Sequence, residues 1–62
     1  PDSPGARVNL GTALKEKGSL DRAVAEYRKA IALQPEYAQA HHKLADALLA
    51  KRAVDDAIAA FH

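Results

Sequence analysis

The histidines are the residues in this sequence whose chemistry is most adaptable, and two of them, His41 and His42, are adjacent. Adjacent side chains on a helix point about 100° apart, so these two rings would not share one ligand. His42 and Asp46 stand four residues apart and could offer two ligands on one helix face. Structural zinc takes four protein ligands and catalytic zinc takes three plus water. We therefore predict no metal site and no cofactor.

The remaining reactive residues do not form a catalytic set. The sequence contains neither a nucleophile with a base and an orienting group nor a glycine-rich phosphate loop. Asp55 and Asp56 stand at the start of a predicted helix, where carboxylates interact favourably with the helix dipole. Asp21 stands at the start of an earlier predicted helix and has the same role. We predict that the chain is not an enzyme.

Charge and composition exclude several classes of partner. Nine basic and eight acidic residues give a formal net charge of +1, whereas nucleic-acid binding needs a clustered basic face. No stretch approaches the roughly 18 consecutive apolar residues of a membrane span. The absence of cysteine in so small a domain favours a reducing compartment such as the cytoplasm. The chain starts without methionine, and we expect it to be an excerpt of a longer protein.

Four stretches of the chain have apolar residues at the three- and four-residue spacing of helices. Pro4 favours the first helical position, and Gly18 can end that helix in a left-handed conformation. Pro35 ends the second helix, because proline cannot continue the hydrogen-bond ladder. The third and fourth stretches cover residues 37–48 and 54–61. We predict an all-α fold with four helices.

A shift of 34 residues aligns the two halves of the chain without a gap. The matched residues are apolar or small and follow helical spacing. They include Leu10 with Leu44, Gly11 with Ala45, Leu14 with Leu48, Ala23 with Ala57, Val24 with Ile58 and Tyr27 with Phe61. What repeats is thus the buried side of a helix pair, and such a period indicates an array of helical hairpins.

The period and the residue types at fixed positions resemble the tetratricopeptide repeat (TPR) family. The positions that match are Leu10, Gly11, Leu14, Gly18, Ala23, Tyr27, Ala30 and Pro35. Arg7 replaces the family's first large aromatic residue, and Arg52 stands at the glycine turn of the second unit. The resemblance implies antiparallel helix-turn-helix hairpins in a right-handed α-solenoid of about 1.75 repeats. We predict an extension at 1–3, one repeat at 4–37 and a second at 38–62, truncated in its second helix.

The resemblance also implies a binding face. In this family the first helix of each repeat lines a concave surface on which ligand peptides lie extended. The polar residues that it places there are Asn9, Thr12, Lys15, Glu16, His42, Lys43 and Asp46, with Val8, Leu49 and Ala50 as apolar neighbours. Residues 9–18 are also similar to the superhelical arm of O-linked N-acetylglucosamine transferases, where an asparagine at the position of Asn9 clamps the peptide backbone. We predict a protein–protein interaction scaffold that binds an extended peptide.

Two alternatives remain open at this level. The chain could be part of the non-catalytic substrate-recognition arm of a larger enzyme, such as a glycosyltransferase. It could also be a self-associating repeat fragment, because the predicted fourth helix has only about two turns and is too short to be stable alone. Val54, Ile58 and Phe61 would then pack against another copy in a heterologous or domain-swapped interface.

Overall fold

The computed structural model describes residues 3–60, which form three helices and no strand. Helix α1 spans Pro4–Glu16, α2 spans Leu20–Leu33 and α3 spans Ala38–Ala60. Helices α1 and α2 form a hairpin through a short turn, and α3 packs against α2 and, less extensively, against α1. The predicted all-α class is confirmed for residues 3–60.

The prediction of four helices was wrong, because the third and fourth predicted segments form the single helix α3. The turn after α1 depends on Gly18, whose φ of 87° lies in a region that other residues rarely adopt. Arg52 stands 34 residues later, at the matching position. Lys51, Arg52 and Ala53 all have good helix propensity, and no glycine or proline interrupts residues 38–60. The described residues thus form one hairpin and a long third helix, which does not match 1.75 repeats.

The core lies between α1 and α2 and is closed by the first half of α3. Its buried apolar residues are Val8, Ala23, Tyr27, Ala30, Ala40 and Ala47. Small side chains dominate this set, so the helix axes can approach closely. At Gly11 the two helices are so close that an added Cβ would lie 2.6 Å from Cε1 of Tyr27. The tyrosine ring therefore occupies the space that any larger residue would need.

The hydroxyl of the buried Tyr27 is satisfied within the hairpin. Its Oη lies 3.0 Å from Oγ1 of Thr12, and that Oγ1 lies 3.0 Å from the backbone oxygen of Val8. A carbonyl oxygen can only accept, so Thr12 donates its single hydroxyl proton to Val8 and accepts the proton of Tyr27. This sequence of hydrogen bonds joins the two helices and allows a ring with a polar end to be buried.

Ion pairs join α1 to α2 and α2 to α3. Nη1 of Arg7 on α1 lies 2.8 Å from Oε1 of Glu26 on α2. Nζ of Lys51 on α3 lies 2.6 Å from Oδ1 of Asp21, at the start of α2. The hydrogen bond and charge of Asp21 raise the pKa of Lys51. From Arg52 to Ala60 every residue is exposed, so this end of α3 projects beyond the helix pair.

The ion pair of Arg7 and Glu26 makes the free energy of unfolding depend on pH in the acidic range. The hydrogen bond from Arg7 lowers the pKa of Glu26 below its ordinary value of 4.5, against an opposing effect of burial, and Lys29 adds to the lowering. A carboxyl with a lowered folded-state pKa contributes stability above its unfolded pKa and loses it as the pH falls through the folded pKa. We expect the free energy of unfolding to fall more steeply below pH 4.5 in the wild type than in Glu26→Gln.

Urea denaturation followed by circular dichroism at neutral and several acidic pH values measures this difference. Glu16→Gln is the matched control, because Glu16 is exposed at the end of α1 and pairs with no residue between 3 and 60. That variant should keep the acid dependence of the wild type. If the free energy of unfolding falls equally steeply with decreasing pH in Glu26→Gln and in the wild type, the assigned role of the pair is contradicted.

The length of α3, 23 residues, invites comparison with a membrane-spanning helix. No helix between residues 3 and 60 combines that length with enough apolar character to cross a membrane.

Candidate functional site

Four of the predicted peptide-contacting residues lie on α1. Asn9 and Glu16 are exposed and Lys15 is partly buried. The amide of Asn9 forms no hydrogen bond with residues 3–60, so its donor and acceptor are both available to a ligand. Thr12 differs from these three, because its hydroxyl already bridges α1 and α2. Its predicted contact with a peptide stays a prediction.

The other three predicted residues lie on the first half of α3. His42 is exposed, while Lys43 and Asp46 are partly buried. Nε2 of His42 lies 3.4 Å from Oδ2 of Asp46, one turn further along. An exposed pair of this kind contributes little to stability. Within residues 3–60 no three histidine or acidic side chains cluster so that they could hold a metal ion.

Helices α1 and α3, which carry the two sets, contact each other. Asn9 and Lys43 are related by the 34-residue shift and so occupy equivalent positions on these neighbouring helices. Neither Lys15 nor Lys43 forms an ion pair within residues 3–60. Each is partly buried, as expected of a lysine whose stem covers the protein surface while its ammonium group stays in water. The predicted contact residues thus include one amide and two cations that have no partner within residues 3–60.

The apolar neighbours of this surface are not equivalent. Val8 is only 2% exposed and belongs to the core, so it is unavailable to a ligand. Leu49 is 66% exposed, the largest value among the exposed large apolar residues. A partner could therefore bury a large apolar side chain here at little cost to the fold.

His41 has a role that the sequence did not reveal. The residue stands 34 positions after Arg7, at the family's first aromatic position, but it is exposed. Its Nε2 lies 2.7 Å from the backbone oxygen of Pro35 and donates to it, because that oxygen can only accept. The ring thus ties the start of α3 to the preceding loop. The sequence could not show this contact, because it depends on how the loop returns over the helix.

The residues predicted to mediate self-association lie on the projecting end of α3. Val54 is 49% exposed and Ile58 is 54% exposed. Phe61 lies outside the described residues. The exposure of two branched apolar side chains one helical turn apart leaves an apolar surface that no residue between 3 and 60 covers.

The family is established by comparison with known proteins. A family model described as "TPR repeat" matches residues 11–51. The TPR repeat-containing thioredoxin TTL4 of Arabidopsis thaliana is 41% identical over 49 residues, which cover 79% of this chain and 7% of that protein. No solved structure matches the chain. The chain therefore belongs to the TPR repeat family, whose repeats are in general protein–protein interaction modules.

Proposed function

We propose that this chain binds an extended segment of a partner protein on the surface formed by α1 and the first half of α3. The observation that carries the proposal is the exposed amide of Asn9, which has no hydrogen-bond partner within residues 3–60. Family membership supports a protein partner in general, and the residues of this surface support the more specific mode of binding.

An extended peptide presents unpaired backbone N–H and C=O groups that need partners when they leave water. The amide of Asn9 can satisfy one group of each kind, whatever the peptide sequence. Lys15 and Lys43 can donate to carbonyl oxygens or attract acidic side chains, and Leu49 adds apolar contact area. Thr12 would act by fixing the position of α1 against Tyr27.

A second candidate is that the chain is the repeat segment of a larger enzyme. The observation in its favour is that the matched Arabidopsis protein is named a thioredoxin and that the chain spans only 7% of its length. Neither comparison supports the finer likeness to the arm of a glycosyltransferase. Sequencing the full transcript tests this candidate, and a reading frame of repeats without a catalytic domain would contradict it.

The peptide-binding proposal predicts that Asn9→Ala and Lys43→Ala weaken a peptide ligand without unfolding the chain. The ligand would be selected from a displayed library of unstructured peptides and titrated by calorimetry. A hydrogen bond is worth about 0.5–1.5 kcal/mol, more when one group is charged, so we expect about a twofold to tenfold loss of affinity for Asn9→Ala and a larger loss for Lys43→Ala.

Two exposed residues away from this surface provide matched controls. Gln34→Ala removes an amide from the α2–α3 loop, and Arg22→Ala removes a cation from the first turn of α2. Both variants should bind as the wild type does, and all four should keep the wild-type circular dichroism. Wild-type affinity in both Asn9→Ala and Lys43→Ala would show that the peptide lies elsewhere.

A further inference from the structure

Helix α3 carries two uncovered surfaces on different parts of its length. We call residues 54–60 the projecting segment; its larger apolar side chains are Val54 and Ile58, 49% and 54% exposed. We call the stripe formed by His41, Ala45 and Leu48 the acceptor face. All three residues of that face are exposed, Leu48 by 41%.

The internal repeat indicates that these two surfaces fit each other. Shifted by 34 residues, the acceptor face corresponds to Arg7, Gly11 and Leu14 on α1. The projecting segment corresponds in the same way to the first part of α2, with Ala57 at the position of Ala23 and Ile58 at that of Val24. Among residues 3–60, helices α1 and α2 form the most extensive helix contact. Each uncovered surface of α3 is therefore related to one side of an interface that the structure already contains.

The two surfaces do not meet within one copy while α3 is straight. Ala45 and Ala57 are 12 residues apart, which is about 18 Å along a helix. At about 100° per residue, the acceptor face and the side chains of Val54 and Ile58 also point roughly 130° apart. Folding back would require a turn at Arg52, which lacks the conformational freedom of Gly18.

We propose that the projecting segment of one copy packs on the acceptor face of a second copy, so that the α1–α2 packing is repeated between molecules. A two-fold partner lying along one side of α3 cannot use both surfaces, because they lie on different sides of the helix. Each copy thus packs its projecting segment on one neighbour and receives the projecting segment of another on its acceptor face. This heterologous contact produces an open chain of copies. Ala45 carries a Cβ that Gly11 lacks, so the interface is slightly wider than that between α1 and α2.

Charge at the helix ends supports the same pairing. In the hairpin, the start of α2 follows directly after the end of α1. The equivalent arrangement between copies puts Asp55 and Asp56 of the donor beside Arg52 of the acceptor, whereas Lys51 is already paired with Asp21 of its own copy. Within one copy, Arg52 and Asp56 are 4.0 Å apart and mostly exposed, so both remain available. The acceptor face lies on the other side of α3 from Lys43 and Asp46, so this inference is independent of the proposed peptide site.

The test is sedimentation equilibrium of the 62-residue chain over a wide concentration range. The interface contains few large side chains, so we expect weak association in which the average mass rises past twice 6.6 kDa without a plateau. Leu48→Glu puts a charge on the acceptor face and should prevent packing there. Ile58→Glu does the same to the projecting segment. Each variant should be monomeric alone, and their mixture should form a one-to-one dimer that grows no further, because it has one intact donor and one intact acceptor.

Leu10→Glu is the matched control, because Leu10 is 46% exposed and Leu48 is 41% exposed, but Leu10 lies on α1. It should associate as the wild type does. The proposal is overturned by a wild-type monomer at every concentration, by a plateau at the dimer, by a mixture that stays monomeric, or by loss of association in Leu10→Glu. If circular dichroism shows that a glutamate unfolds the chain, Leu48→Ser and Ile58→Ser take the place of those variants.

Discussion

Replacing Tyr27 by alanine is expected to unfold the chain. Tyr27 is the largest fully buried side chain among residues 3–60, and its ring fills the space that Gly11 leaves between α1 and α2. Truncating a large buried aromatic residue typically costs about 3–5 kcal/mol, whereas the whole core of so small a domain rarely contributes more than about 3–5 kcal/mol. We therefore expect the helical circular dichroism signal of Tyr27→Ala to be largely lost in buffer without denaturant.

Two variants separate the contributions of the ring, its hydroxyl and general aromatic burial. Tyr27→Phe keeps the ring and removes the hydrogen bond to Thr12, which costs about 0.5–1.5 kcal/mol. Tyr37→Ala removes a partly buried ring whose hydroxyl donates to Gln39, and it should cost less than Tyr27→Ala. Urea denaturation gives the free energies of unfolding of the wild type, Tyr27→Phe and Tyr37→Ala, and the helical signal in buffer gives the result for Tyr27→Ala. A Tyr27→Ala protein as stable as the wild type would show that α1 and α2 do not pack around this ring.

The first hairpin could be predicted from the sequence because local and long-range signals agree there. Pro4 begins α1, Gly18 forms the turn, and α2 ends at Leu33, shortly before Pro35. The apolar stripes of both helices point to the same core. Agreement between turn residues and hydrophobic pattern is the condition under which sequence specifies structure well.

The prediction of a fourth helix was wrong because the turn residues and the hydrophobic pattern disagree at Arg52. The 34-residue shift aligns the apolar residues of 54–61 with those of α2. This alignment concerns only the pattern of the packing surface. Whether the chain turns back is decided locally, and Lys51, Arg52 and Ala53 favour continuing the helix. A repeat in the apolar pattern therefore predicts which surfaces are complementary. It does not predict whether the two surfaces belong to the same molecule.

The candidate site could be predicted in part for a similar reason. Helical spacing gives the side of each helix on which Asn9, Lys15 and Lys43 lie. It does not give the partners of each side chain, so the engagement of Thr12 with Tyr27 became visible only in three dimensions. That Asn9 has no partner within residues 3–60 is likewise visible only in the folded structure.

Replacing Gly11 by alanine is expected to destabilise the fold, although alanine is the better helix former. The added Cβ would lie 2.6 Å from Cε1 and 2.9 Å from Cδ1 of Tyr27. The ring is fully buried and cannot move aside without displacing its neighbours. Overpacking typically costs about 1–3 kcal/mol, and the gain in helix propensity offsets at most about 1 kcal/mol of it. Urea denaturation should show a net loss of stability.

The same substitution at Gly5 should have the opposite sign. Gly5 also lies in α1, but a Cβ there would be 3.8 Å from both Oγ of Ser3 and Oη of Tyr37, an ordinary contact distance. Gly5→Ala therefore gains helix propensity without a clash and should stabilise the chain by up to about 1 kcal/mol. Because both variants add one methyl group to one helix, the difference between them isolates the close approach of the Tyr27 ring. If Gly11→Ala stabilises the chain as well, the hairpin has room at that position and is not held together by contact between this ring and the α1 backbone.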